Sequence, residues 1–187
     1  PPEYYKQSRW RGSLAFDGGG ALINQGIHTV DLLIFLLGDI VAVQAKMKAA
    51  LHEIEAEDTL IALLEFSSGT MGTLVTTTSA YPGYPRRLEL SCSEGTVILE
   101  HDQIVLADLR QPAPELVSDE GGDSNASAVS ATVSDVRGHK AILEDFIRAI
   151  QAGSDPVCDG REGRRSLAVV EAVYEAARSG RRVIVRN

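Results

Sequence analysis

From Val41 to Leu109 the chain is a succession of short apolar-periodic runs separated by tight-turn residues, and no other feature restricts its fold as much. Val41, Val43, Ala45, Met47, Ala49 and Leu51 fall at every second position, as in a strand with one covered face. Thr59 to Phe66 and Met71 to Ser79 flank the turn Ser67-Ser68-Gly69 and read as a hairpin with β-branched residues on its return arm. After the Pro/Gly loop AYPGYPRR come Arg87 to Ser93, Thr96 to His101 and Ile104 to Leu109, joined at Glu94-Gly95 and Asp102-Gln103 as a meander. Strands linked by turns this short pair antiparallel, because a parallel pair needs a long crossover.

Helices flank this region. From Gly20 to Leu37 the residues Leu22, Ile23, Ile27, Val30, Leu33, Ile34 and Leu37 recur at three and four, and Gly38 supplies a stop. This helix is apolar over most of its girth and is expected to be largely buried. Two more are predicted near the end. His139 to Ala152 carries Ile142, Leu143, Phe146, Ile147 and Ile150 on one stripe and stops at Gly153. Glu162 to Ser179 turns Leu167, Val170, Val173, Tyr174 and Ala177 inward and stops at Gly180, before a short strand from Arg182 to Val185.

PPEYYKQSRWRGSLAF has no helical period and reads as extended or edge strand; its start at Pro1, without Met, reads as the interior of a longer polypeptide. Residues 110–136, rich in Ser, Asp, Gly and Ala, read as an excursion from the core. The expected fold class is α+β: a single open, mostly antiparallel sheet with three helices packed on one face. Strands between Val41 and Thr78 carry apolar or Thr side chains on both faces, so the other face is expected to meet a second subunit.

With 187 residues the chain suits one good-sized core. A net charge of −8 argues against a nucleic-acid partner, and Arg161, Arg164, Arg165, Arg181 and Arg182 read as a solvated face among acids. The longest apolar run, Val30 to Leu37, is interrupted by Asp31 and falls short of the ~20 residues a bilayer needs. No membrane partner and a cytoplasmic location are the expectation. Cys92 and Cys158 have no Cys or His at ligand spacing, so neither a disulfide framework nor a metal site is indicated.

Asn24, His28 and Asp31 stand at i, i+4 and i+7, one stripe of the first helix. A polar stripe on an apolar helix must be solvated, paired or functional. One reading is an internal polar cluster. The other is catalytic: Asp31 accepts from one ring nitrogen of His28, fixing its tautomer, His28 acts as general base, and Asn24 positions a substrate hydroxyl. Asp17-Gly18-Gly19-Gly20 lets backbone approach closely at the helix start, where amides favour an anionic or hydroxyl-rich ligand. Trp10 and Arg11 offer an aromatic plane and a forked donor suited to a sugar ring or carboxylate. No glycine-rich dinucleotide motif, P-loop or nucleophile elbow occurs.

In the segments PPEYYKQSRWRG, DGGGALINQGIHTVDLLIFLLG, LEFSSGTMGTL, RRLELSCSEGTVILEHD and HKAILEDFIRAIQAGSDPVCDGREGRRSLAVVEAVYEAARSGRRV the chain resembles the C-terminal domain of the Gfo/Idh/MocA oxidoreductases. The resemblance covers nearly the whole chain. It implies that residues 1–187 are the substrate-binding and oligomerisation domain of a two-domain dehydrogenase whose N-terminal domain, with the family's catalytic Lys, is not in this sequence. That domain would bind NAD or NADP, and no cofactor is expected on the chain alone. Implied partners are a sugar, cyclitol or nucleotide-sugar substrate and further copies of the same chain, as dimer or tetramer. His28 and Asp31 match the family's His and Asp. Asn24 stands where inositol dehydrogenase-like members often have Asp and looks more like the nucleotide-sugar dehydrogenases. Because Asn carries no proton, His28 takes the acid–base role. A non-catalytic oligomerisation module and a sugar-binding regulator are the alternatives.

Overall fold

The computed structural model describes residues 2–100, 103–111 and 137–186. The excursion expected at residues 110–136 lies almost wholly outside the described residues. Two compact units form, one of Pro1–Ala80 with Asp135–Asn187 and one of Tyr81–Ser134, where one core was expected.

Strands form where the alternation places them: β1 (Ile40–Lys48), β2 (Thr59–Phe66), β3 (Met71–Thr77), β4 (Arg87–Cys92), β5 (Gly95–Glu100), β6 (Gln103–Leu109) and β7 (Val183–Ile184). The class is α+β and the pairing antiparallel, but the expected single sheet is resolved into two. The first unit holds a four-stranded sheet in the order β3-β2-β1-β7, and the second holds β4-β5-β6. Pro82 and Pro85, in the loop after β3, have no N–H with which to carry a ladder onward.

Register then sorts the faces of the larger sheet. Val43 lies opposite Leu64 and Ala62 opposite Leu74, and all four are buried. On the other face Ile61 lies opposite Lys46 and Val75, and Ile61, Leu63, Met71 and Val75 are more than half exposed. The hairpin closes through Gly69, whose φ of 86° a side chain would strain.

The covered face is built by helices. α1 (Pro2–Lys6) and α2 (Leu14–Asp17) replace the extended segment expected at the start. Pro2 occupies the first helical position, where a missing N–H costs nothing. A π turn, Leu22–Gly26, then runs into α3 (Ile27–Leu37). The π turn packs on β3, and Gly26 makes this possible, since a Cβ there would press on the Thr76 methyl. Val30, Leu33 and Ile34 of α3 are buried, each contributing about 1.5–3 kcal/mol. α4 (Arg137–Ala152) follows, then α5 (Gly160–Ser179), which packs on both β1 and α3. Asp159 caps α5 by accepting from the Arg161 and Glu162 amides, and Gly180 ends it with φ 68°.

Two expectations fail. Ile142, Leu143, Phe146, Ile147 and Ile150 of α4 are all more than half exposed, so the π turn and α5 cover the sheet and the α4 stripe does not. Periodicity sets which side of a helix is apolar, not what meets it. Leu14–Leu37 also has the length and mean hydropathy, 1.4 over its most apolar window, that a membrane helix needs, contrary to the expectation. The left-handed Gly18 interrupts it, and its buried residues pack on α5 and β3; Phe35 and Leu36 stay exposed, so the helix is less buried than its apolar girth suggests.

Candidate active site

The start of the π turn is held by Glu57, which sequence reasoning passed over. Glu57 is almost wholly buried in the chain leading into β2. Its Oε2 accepts from the Gly20 N–H at 3.0 Å and its Oε1 from the Leu22 N–H at 2.9 Å. Oε1 also accepts from the Tyr174 hydroxyl of α5 at 3.0 Å, and the Glu57 carbonyl accepts from the Ala21 N–H at 3.0 Å. The helix-start amides thus already hold an anion, supplied by the chain itself. They are not available to a ligand, which corrects the expectation for Asp17 to Gly20. Gly19 and Gly20 are needed for this approach: a Cβ on the first would overlap the Tyr174 hydroxyl, and on the second the Glu57 carbonyl. Burial, reinforced by the Glu57 charge, pushes the Tyr174 hydroxyl well above its ordinary pKa, so it stays a donor.

A second carboxylate shapes the same connection. Asp58, fully buried, accepts from the Ala50, Leu51 and His52 amides at 2.7, 2.8 and 2.9 Å and from the Thr59 hydroxyl at 2.9 Å. Burial alone would raise its pKa, but these donors outweigh it and hold the group at about 2. His52 is thereby fixed with its Nε2–H donating to the Thr78 carbonyl at 3.2 Å and its ring 4.7 Å from that of Tyr5.

Asn24, His28 and Asp31 project from one exposed side of the π turn and α3. A π turn contains more residues than an α turn, which brings Asn24 and His28 closer to one azimuth. Asn24 donates from Nδ2 to the Gly20 carbonyl at 3.2 Å. His28 makes no hydrogen bond among the described residues, so both ring nitrogens face solvent or a ligand. Asp31 does not receive the expected bond from His28. Its Oδ1 accepts instead from the hydroxyl of Ser166 on α5 at 2.7 Å, because a hydroxyl buried in an apolar seam must find an acceptor.

The N-terminal segment reaches the same turn. The Arg11 guanidinium lies 4.2 Å over the Tyr4 ring and 5.4 Å from that of Trp10, and donates from Nη1 to the Tyr4 carbonyl at 3.1 Å. Gln25 of the π turn donates to the Tyr4 hydroxyl at 3.5 Å. Trp10 is half exposed, whereas the Arg11 fork is partly committed to Tyr4. Sequence reasoning therefore found the exposed polar stripe and missed Ser166 as the partner of Asp31, Glu57 with Tyr174 as the support of the helix start, and Asp58 as the organiser of the connection before β2. The signals were present: acids crowd the connection HEIEAED, and a buried Tyr on α5 requires a partner.

Residues 1–185 match the Gfo/Idh/MocA family at the domain described as "Oxidoreductase family, C-terminal alpha/beta domain". The chain belongs to that family. Among solved structures it is similar to the WlbA dehydrogenase from Bordetella pertussis in complex with NADH and UDP-GlcNAcA, at 34% identity and a TM-score of 0.82 over 100% of this chain and 54% of that one. It is 28% identical to a D-apiose dehydrogenase of Paraburkholderia graminis, over 87% of this chain and 44% of the relative. It is 24% identical to a myo-inositol 2-dehydrogenase of Thermotoga maritima, over 88% and 49%. The chain thus spans about half the length of the curated relatives it matches.

Proposed function

We propose that the chain is the substrate-binding and oligomerisation half of a cytoplasmic NAD(P)-dependent dehydrogenase that acts on a secondary hydroxyl of a sugar-like molecule. The observation that carries this reading is the exposed His28, without a hydrogen bond among the described residues, on one stripe with Asn24 and Asp31, which each hold one. In this reading His28 takes the hydroxyl proton, Asp31 supports the imidazolium that results, and Asn24, Trp10 and Arg11 position the substrate. Both described sheets are antiparallel, without the strand–helix–strand unit and glycine-rich turn that hold a dinucleotide. In this reading the cofactor belongs to the rest of the protein, where a nicotinamide would accept the hydride as the alcohol becomes a carbonyl.

Asn24 and the likeness to the WlbA dehydrogenase favour a nucleotide sugar over a free polyol. The exposed sheet face of Ile61, Leu63, Met71 and Val75 supports pairing with another copy. Full-length enzyme assayed with NAD+ or NADP+ against UDP-GlcNAcA, D-apiose and myo-inositol is expected to turn over at least one of them, while residues 1–187 alone turn over none. Turnover by the isolated chain would overturn the division of labour.

A further inference from the structure

The buried stripe of α5 consists of Ser166, Val169, Val170, Ala172, Val173, Tyr174 and Ala176. Only Ser166 and Tyr174 carry polar groups there, and each gives its hydroxyl to a carboxylate across the seam. The Tyr174 bond to Glu57 fastens the helix start. The Ser166 bond reaches the middle of α3, where an apolar residue of similar size would pack without an acceptor. Its acceptor is Asp31, three residues after His28 on the same exposed stripe.

We propose that Ser166 is a positioning residue for the reaction, holding the Asp31 carboxylate by Oδ1 so that Oδ2 remains for His28. The proposal rests on the catalytic reading of His28 given above. At 2.7 Å the contact is a charge-assisted O–H···O⁻ bond, strong enough to select one rotamer of an otherwise exposed side chain. Ser166 is the one described donor to Asp31. The neighbouring Arg165 is taken by Asp39, at 2.7 and 3.1 Å, and by Glu162 at 2.6 Å, so it does not compete for the carboxylate. Among the described residues no other charged group is bonded to Asp31 or His28. With Oδ1 held from α5, the carboxylate keeps one oxygen free beside the turn that bears His28. Without the hydroxyl the side chain swings into solvent, and the imidazole loses its anionic neighbour for part of the time.

The test uses full-length enzyme with whichever of UDP-GlcNAcA, D-apiose and myo-inositol it oxidises, and the cofactor it uses, comparing Ser166→Ala, Ser166→Thr, Asp31→Asn, the double variant of Ser166→Ala with Asp31→Asn, and His28→Ala. Ser166→Ala is expected to lower kcat about tenfold with KM changed less than about twofold. Ser166→Thr, which keeps the hydroxyl, should restore most of the lost kcat, because the donor to Asp31 is back in place. Added to Asp31→Asn, Ser166→Ala should cost less than about twofold, since the group it acts through is gone. A wild-type kcat for Ser166→Ala, no recovery in Ser166→Thr, or full additivity with Asp31→Asn would overturn the proposal. If His28→Ala itself retained turnover, the catalytic reading would fall and this inference with it. Loss in His28→Ala beside wild-type behaviour in Ser166→Ala would sink the inference alone.

Discussion

Replacing Glu57 by Gln perturbs the support of the helix start with almost no change of shape. The amide oxygen can keep the Oε1 position and both of its bonds, from the Leu22 N–H and the Tyr174 hydroxyl. The amide nitrogen must then face the Gly20 N–H, donor against donor. Gly20 retains only the longer contact to the Tyr174 oxygen, 3.3 Å against 3.0 Å to Glu57. The new N–H groups have no acceptor in a buried site. Together these changes cost about 2 kcal/mol, in the range measured for a buried donor left unpaired. For a chain of 187 residues that corresponds to a fall in Tm of roughly 4–8 °C. Trp10, the single tryptophan, lies in the first unit, so its fluorescence during urea unfolding reports on the part that contains Glu57. Adding Tyr174→Phe removes the last acceptor from Gly20, and the two changes should exceed additivity by about 1 kcal/mol. A Glu57→Gln variant within about 0.5 kcal/mol of the parent would refute the reasoning, because Glu57 would then not be holding the turn.

Asp58, held at about 2 against an unperturbed 3.8, lends the folded state about 2 kcal/mol above pH 4, lost as pH falls through 2. Asp58→Asn should therefore lower stability at pH 7 by about that amount and flatten its dependence on pH below 4, as followed by urea unfolding. Leu63→Lys with Val75→Lys places like charges on the exposed sheet face. Sedimentation should show a smaller oligomer with unaltered far-UV circular dichroism, whereas an unchanged size would remove this face from the interface.

The strands were legible in the sequence because a period of two, broken by Gly, Asp and Ser at turns, admits few other structures. Their separation into two sheets was less so, since it depends on which ladder a Pro-containing loop interrupts. The polar stripe of Asn24, His28 and Asp31 could be read from spacing alone. Its partners could not: Ser166 is more than a hundred positions from Asp31, and no local period links them. Gly18 to Gly20 illustrate the same limit. The glycines mark a close approach of backbone, and only the fold shows that the approaching group is Glu57 rather than a ligand. The helix carrying Ile142 to Ile150 is bounded by its period to within two residues at its start, yet that period does not tell that all five residues of the stripe stay exposed.

The central claim is that His28 accepts the proton of the substrate hydroxyl. Steady-state turnover of full-length His28→Ala with whichever of UDP-GlcNAcA, D-apiose and myo-inositol the parent enzyme oxidises, measured beside its oligomeric state, tests it most directly. The account predicts a fall in kcat of about 10²-fold or more, the scale of a lost general base, with the assembly unchanged. Turnover within about threefold of the parent enzyme would contradict it.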